Sequence, residues 1–156
     1  MARHTQVSED RWMAEQNEKE MGKGVMPVTG LVPMISVQDV ERSVEFYNLL
    51  GFAVGNRVPR QGRMNWAWLY APNAADWRRG PNVMLSRAEG EIDAVAKGVF
   101  FYLYATDLVG LRAALISDGK DPSAIKYPDY LPKGEFAVRD PDGYRLMVAQ
   151  TDDDTP

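Results

Sequence analysis

The sequence predicts an α+β fold of two tandem modules, each with a strand, a helix and then about three further strands. The segments LVPMISVQDVERSVEFYNLLGF and VFFYLYATDLVGLRAALISDGK follow one plan, an apolar strand that leads into a helix. The residues that start these helices, Asp39 and Asp107, lie 68 positions apart, and so do the glycines that end them, Gly51 and Gly119. Both helix ends recur at the same spacing, which indicates an internal repeat.

Composition indicates one ordinary globular domain. The 156 residues are 45% hydrophobic and 26% charged, and the net charge of −4 disfavours a nucleic-acid partner. The chain has no cysteine, and its one histidine, His4, lies in a polar N-terminal segment, so thiolate chemistry and histidine-based triads are not expected. No apolar run reaches the ~18 residues of a membrane span. We therefore expect a cytoplasmic protein without a membrane partner.

The first module is interpreted as a strand, a helix and three more strands. The helix places Val40, Val44, Tyr47 and Leu50 on one face, at the spacing of an amphipathic helix. The strand candidates that follow are FAVGNRV, MNWAWLY and NVMLSRA.

The second module repeats this order. Its helix directs Leu108, Leu111 and Leu115 inward, and its later strand candidates are a loop-rich IKYPDY, GEFAVRD and YRLMVAQ. Between the last two, DPDG signals a hairpin turn in which Asp142 and Gly143 can accept positive φ. The predicted organisation is a polar arm with a possible helix (1–30), one domain (31–151) with modules at about 31–90 and 98–151, and an acidic tail (152–156).

A βαβββ unit repeated once in a chain of this length resembles the vicinal oxygen chelate superfamily, which includes glyoxalase I, bleomycin-resistance proteins and extradiol dioxygenases. VPMISVQDVERSVEFYNLLGF looks like the opening strand and helix of that family, and EFAVRDPDGYRLMVAQ looks like its closing hairpin. The resemblance implies that the two modules form a curved half-barrel sheet around a concave cleft. It also implies a homodimer, in which one cleft can be shared by two chains.

Metal-dependent members of that family carry His, Gln or Glu ligands on the first and last strands of each module. The family pattern assigns these positions here to Val32, Met84, Phe100 and Met147. None of these side chains is a donor that a hard or borderline divalent ion selects, and the nearest alternatives, Ser36 and Glu135, do not complete a site. We therefore predict no metal, no cofactor and no catalytic residue.

The family's ligand positions also indicate which side chains line the cleft, because successive residues of a strand point to opposite faces. Ile35, Val37, Phe101 and Leu103 are assigned to the helix-packed face. Ala149 shares the cleft parity of the last strand. The predicted ligand-binding residues are Met34, Trp66, Trp68, Tyr70, Met84, Phe100, Tyr102, Tyr104, Arg145 and Met147.

Three functions are compatible with these observations. The first is a metal-free protein that sequesters a small hydrophobic or aromatic ligand, for which aromatic and thioether side chains are suited. The second is an enzyme: a metal-dependent lyase, isomerase or dioxygenase, or a metal-free one using Tyr102, Tyr104 or Glu135 as general acid or base. The third is a structural or regulatory protein whose N-terminal helix docks on a partner.

Overall fold

The internal repeat is visible in the computed structural model, which describes residues 28, 30–74 and 80–151. The predicted N-terminal helix and the acidic tail lie outside the described residues. Two units are distinguished, Met1–Leu31 and Val32–Pro156, and all elements described below belong to the second.

The first module forms a four-stranded sheet, here called sheet A. Its elements are β1 (Met34–Val37), α1 (Val40–Leu49), β2 (Ala53–Val58), β3 (Trp66–Tyr70) and β4 (Asn82–Arg87). The strand order is β1-β4-β3-β2, with β1 parallel to β4 and the other neighbours antiparallel. This is the predicted order of strand, helix and three strands.

The second module forms a three-stranded sheet, here called sheet B. Its elements are β5 (Phe100–Ala105), α2 (Leu108–Ser117), β6 (Glu135–Arg139) and β7 (Arg145–Gln150). The strand order is β5-β7-β6, with β5 parallel and β6 antiparallel to β7. Sheet B therefore repeats the arrangement of β1, β4 and β3 in sheet A.

The fourth strand considered for sheet B, IKYPDY, is not a strand. Lys126 forms an isolated bridge with Glu135. Further along the same edge of β6, the Ala137 N–H is accepted by Ser123 Oγ at 2.9 Å instead of by a main-chain carbonyl. Pro128 has no N–H to contribute, so a continuous ladder cannot extend past it. The segment covers the edge of β6 without becoming part of the sheet.

Both helices begin and end where the repeat indicates. The Asp39 carboxylate accepts the Arg42 N–H at 3.0 Å, and the Asp107 carboxylate accepts the Gly110 N–H at 2.9 Å, as N-cap side chains do. The hydrogen bond from the Arg42 main chain is also the main cause that lowers the pKa of Asp39. The glycines that follow the C-caps, Gly51 and Gly119, adopt positive φ values of 89° and 76°.

The hydrophobic core lies between the helices and one face of each sheet. In sheet A the buried strand residues alternate with exposed ones and pack against α1, where Phe46 and Ser43 are buried together with the predicted Val40, Val44 and Tyr47. In sheet B, Leu146 and Val148 are fully buried, and Phe101 and Leu103 pack partly against the core. Apart from β2, which has no buried residue, each strand therefore has one face turned to the helices and one face turned away.

The DPDG turn connects the two modules through buried polar contacts. The Asp140 carboxylate accepts the N–H groups of Asp142 and Tyr144 at 3.0 and 2.9 Å, and the Tyr47 hydroxyl of α1 donates to it at 3.3 Å. Burial raises the pKa of Asp140 to about 6, although these hydrogen bonds oppose the rise. Burial likewise raises the pKa of Tyr47, and the Asp140 charge adds to the rise.

Two further contacts of this turn reach the first module. Asp142 Oδ1 accepts the Gln38 N–H at 3.1 Å, and the Tyr144 hydroxyl donates to the Ser36 carbonyl at 2.9 Å. Of the two turn residues expected to accept positive φ, only Gly143 does so, at 93°, because a residue without Cβ adopts this conformation at lower cost. The expectation for Asp142 is corrected; its carboxylate holds the modules together instead.

Candidate functional site

The face of each sheet that points away from the helices carries the predicted ligand-binding side chains. We call these two surfaces the open faces. On β3, Trp66, Trp68 and Tyr70 are partly exposed while the intervening Ala67 and Leu69 are fully buried. The same alternation holds on β4, β5 and β7, with Ala149 as the exception: it has the parity of the open face but is completely buried.

The register of sheet A brings three predicted residues into one row. Met34 lies opposite Met84 across the parallel pair β1–β4, and Met84 lies opposite Trp68 across the antiparallel pair β4–β3. Directly opposite residues on one face are close enough for side-chain contact. The row ends at solvent, since Met34 is 63% exposed.

A β-bulge in β2 holds the Trp68 ring in place. The pairing of β2 with β3 shifts at Gly55, between Val54 and Asn56. A Cβ atom on Gly55 would lie 2.3 Å from the Trp68 ring, so the indole occupies space that only glycine leaves free. The Trp68 indole N–H donates to Asn82 Oδ1 at 2.8 Å, and its ring stacks on Tyr70 with centroids 5.3 Å apart. The position of the Trp68 ring therefore depends on Gly55, a residue that the aromatic pattern of β3 does not indicate.

Sheet B has an open face with opposite charges at its two ends. Its rows, read across β5, β7 and β6, are Phe100–Arg145–Arg139, Tyr102–Met147–Ala137 and Tyr104–Ala149–Glu135. Arginines occupy the first row and a carboxylate the last, four residues apart on β6, which is about 13 Å along a strand. Phe100 and Tyr104 are 60% and 57% exposed, so aromatic surface faces solvent between these charges.

Glu135 is the centre of a hydrogen-bonded cluster with two tyrosines. Its side chain is only 6% exposed, and it accepts the hydroxyl of Tyr130 at 2.8 Å and the hydroxyl of Tyr102. Two main causes raise the pKa of Tyr102: the larger is burial of its hydroxyl, and the next is the hydrogen bond to Glu135. The bond to Glu135 also raises the pKa of Tyr130. Both phenols therefore stay protonated at neutral pH and act as donors to the carboxylate.

Residues at the family's metal positions do not fit a divalent cation. Met84 has Met34 and Trp68 as its neighbours across the strands, and Met147 has Tyr102 and Ala137. A lone thioether is a soft ligand, and Val32 and Phe100 have no donor atom. Across residues 28, 30–74 and 80–151, no three His, Cys, Asp or Glu side chains are grouped so as to hold a metal ion.

Arg145 lies opposite Phe100 on the open face of sheet B and also lines a cavity near the end of that sheet. Sequence reasoning missed three residues that shape the open faces: Asn82, Tyr130 and Gly55. A lone glycine within a strand pattern is a usable signal for a bulge or a close contact. The Tyr130 contact has no such signal, because Tyr130 lies in a loop.

Comparisons with known proteins agree with this architecture. A model of the Glyoxalase/Bleomycin resistance protein/Dioxygenase superfamily matches residues 30–148. A solved bleomycin-binding protein complexed with bleomycin has a TM-score of 0.60 and 20% identity over 80% of this chain and 100% of its own. A glyoxalase-related enzyme from Clostridium phytofermentans has a TM-score of 0.58 and 14% identity over 83% of this chain and 99% of its own.

A third similar structure is the bleomycin-binding protein of the bleomycin producer Streptomyces verticillus, complexed with copper(II)-bleomycin. It has a TM-score of 0.54 and 24% identity over 82% of this chain and 100% of its own.

The comparison with curated protein sequences gave no match. Both described helices, at ten residues each, fall short of what crossing a bilayer requires. The match across residues 30–148, together with the repeated βαβ arrangement, shows that the chain belongs to the Glyoxalase/Bleomycin resistance protein/Dioxygenase superfamily.

Proposed function

We propose that the protein binds a small aromatic or amphipathic molecule on its open faces without a metal ion and without transforming it. The observation that carries this proposal is the exposed apolar surface of these faces. Met34, Phe100 and Tyr104 are all more than half exposed although they lie within regular strands. On β5, Phe100, Tyr102 and Tyr104 share one exposed face, and exposed apolar patches of this kind mark binding sites in folded proteins.

The chemistry of the two faces favours a planar ligand with a polar group. Trp68 and Tyr70 already stack on each other, and their rings offer a flat surface on which a further ring can stack. On sheet B, the tyrosine pair Tyr102 and Tyr104, whose ring centroids are 5.7 Å apart, lies beside the buried Glu135 carboxylate, which Tyr102 and Tyr130 bind. A ligand amine held against these rings would form cation–π contacts and be attracted by the charge of that carboxylate.

The same cluster favours one second candidate function, metal-free acid–base catalysis. Glu135 accepts hydrogen bonds from the hydroxyls of Tyr102 and Tyr130. In this arrangement a carboxylate and a phenol lie within the distance that proton transfer requires. The raised pKa of Tyr102 makes it a weak acid at neutral pH, and this supports binding over catalysis. Recovery of the bound ligand unchanged after long incubation supports binding, and turnover that Glu135→Gln abolishes supports catalysis.

A homodimer and a cytoplasmic location are further parts of the proposal. The exposed row of Phe100, Tyr102 and Tyr104 on β5 suits a second copy of the chain as well as a ligand, and shared clefts would satisfy both. Native mass spectrometry of protein purified without chelator reads both the oligomeric mass and any bound mass. A metal-free dimer supports the proposal, whereas a monomer contradicts the assembly and a stoichiometric divalent ion contradicts the assignment of Met84 and Met147.

Ligand binding is tested by calorimetric titration with metal-free bleomycin and with anilinonaphthalene sulfonate as probes. Phe100→Ala removes an exposed ring of the open face, and Val109→Ala removes an exposed apolar side chain of α2, which is 67% exposed. We expect Phe100→Ala to weaken stoichiometric binding by about tenfold, the equivalent of about 1.4 kcal/mol, and Val109→Ala to leave it unchanged. Equal affinities in both variants, or no stoichiometric binding of either probe, would count against the proposal.

A further inference from the structure

A cavity of about 780 Å³ lies beside the end of sheet B at which the DPDG turn begins. Its walls come from α1, from residues 119–123 and from the strands β6 and β7. Four cationic side chains line it: Arg42, Lys120, Arg139 and Arg145. Such a concentration of positive charge contrasts with the net charge of −4 of the whole chain.

Two of these cations lie next to each other, and no carboxylate of the described part of the chain forms an ion pair with either of them. Arg139 and Arg145 are directly opposite each other across the antiparallel pair β6–β7, and like charges in this position destabilise a sheet. Arg139 donates to the Gly143 carbonyl at 2.9 Å, which is a neutral partner. Arg145 forms no ion pair with any residue of the described part of the chain.

Two acidic residues, Asp121 and Asp140, also line the cavity, which leaves four cations against two acids among its lining residues. Asp121 is exposed to solvent and forms no ion pair with any residue of the described part of the chain. Asp140 is buried and occupied by three hydrogen bonds from Asp142, Tyr144 and Tyr47. Arg42 is paired with Asp142 at 3.5 Å, and Lys120 forms a solvent-exposed pair with Asp118 at 3.5 Å, a type of contact that contributes little.

We propose that this cavity binds a small multivalent anion, an organic phosphate or polycarboxylate, which bridges Arg139 and Arg145 and is approached by Arg42 and Lys120. Guanidinium groups form paired hydrogen bonds with phosphate and carboxylate oxygens, and a bridging anion removes the repulsion between the two arginines. The cavity adjoins the open face of sheet B, where Arg145 lies opposite Phe100, but none of the aromatic side chains of the open faces lines it.

Calorimetric titration with pyrophosphate and, separately, with citrate tests the proposal. The two titrations distinguish a site for phosphates from a site for polycarboxylates. At constant ionic strength we expect one anion per chain to bind. Arg145→Gln and Arg139→Gln should each weaken that binding at least about tenfold, because each removes a charge-assisted hydrogen bond. Arg60→Gln makes the same charge change at an exposed position after β2 and should leave binding unchanged. No saturable binding of either anion, or equal weakening by Arg60→Gln, would overturn the proposal.

Thermal unfolding provides a second test, because a purely structural role of Arg145 would not make the Tm depend on the anion. Without anion, Arg145→Gln should be at least as stable as the unsubstituted protein, because the repulsion with Arg139 is gone. Pyrophosphate should raise the Tm of the unsubstituted protein and of Trp68→Leu, but not that of Arg145→Gln. A lowered Tm of Arg145→Gln without anion, or an equal rise in all three proteins, would contradict the site. Trp68→Leu separates this result from small-molecule binding on the open face of sheet A, and Phe100→Ala, which should keep the rise in Tm, separates it from binding on the open face of sheet B.

Discussion

Replacing Asp140 by Asn isolates the energetic contribution of one buried carboxyl group. Burial raises the pKa of Asp140 from 3.8 to about 6, so the folded state holds the proton more tightly than the unfolded chain does. At about 1.4 kcal/mol per pH unit, this difference amounts to about 3 kcal/mol. The stabilisation is complete below about pH 4 and is lost as the pH rises through about 6.

The amide of Asp140→Asn keeps the shape of the carboxyl and cannot ionise. Its oxygen can accept the two main-chain N–H groups, and its nitrogen can donate to the Tyr47 hydroxyl. We expect the variant to equal the unsubstituted protein in free energy of unfolding near pH 4 and to exceed it by about 3 kcal/mol at pH 7.5.

Urea denaturation at a series of pH values measures this difference. Asp140→Ala is the control, because it leaves the N–H groups of Asp142 and Tyr144 without their acceptor and should be less stable than Asp140→Asn at every pH. The reasoning fails if the difference between Asp140→Asn and the unsubstituted protein does not change with pH, or if the variant is the less stable protein at pH 7.5.

Three further substitutions test the local structure. Gly55→Ala should displace the Trp68 ring, cost about 1–2 kcal/mol and alter the near-ultraviolet circular dichroism; an unchanged spectrum would contradict the bulge geometry. Leu146→Ala should cost about 2–5 kcal/mol in urea denaturation, since Leu146 is completely buried, and a cost below about 1 kcal/mol would contradict its place in the core. Asp39→Ala should cost about 1 kcal/mol of cap energy. Because the pKa of Asp39 is lowered, this cost should shrink as the pH falls through that pKa, and a cost independent of pH would contradict the cap.

Features that depend on neighbouring residues were predictable from the sequence. The caps Asp39 and Asp107 satisfy N–H groups three residues away, and Gly51 and Gly119 supply the positive φ that ends each helix. The alternation of Trp66, Ala67, Trp68, Leu69 and Tyr70 follows from strand geometry alone. These local signals, repeated at one spacing, were enough to indicate the fold.

Features that depend on distant residues could not be predicted in this way. Tyr47 meets Asp140 across 93 positions of the chain, and Tyr102 meets Glu135 across 33. Sheet B lacks the fourth strand because residues 123–126 pair with β6 only in part. There the Ser123 hydroxyl, in place of a main-chain carbonyl, accepts the Ala137 N–H. Gly55 within a strand pattern indicates a bulge or a close contact, but the residue that it contacts, Trp68, follows only from the register of β2 and β3.

The location of a bound ligand tests the central claim most directly. Methyl NMR of the methionines suits this purpose because Met34, Met84 and Met147 lie on the open faces, whereas Met64 is buried in the core. Titration with metal-free bleomycin or anilinonaphthalene sulfonate should shift the methyl signals of the first three and leave that of Met64 in place. Shifts confined to Met64 or to methionines outside the two sheets, with Met34, Met84 and Met147 unmoved, would contradict the assignment of the open faces as the binding site.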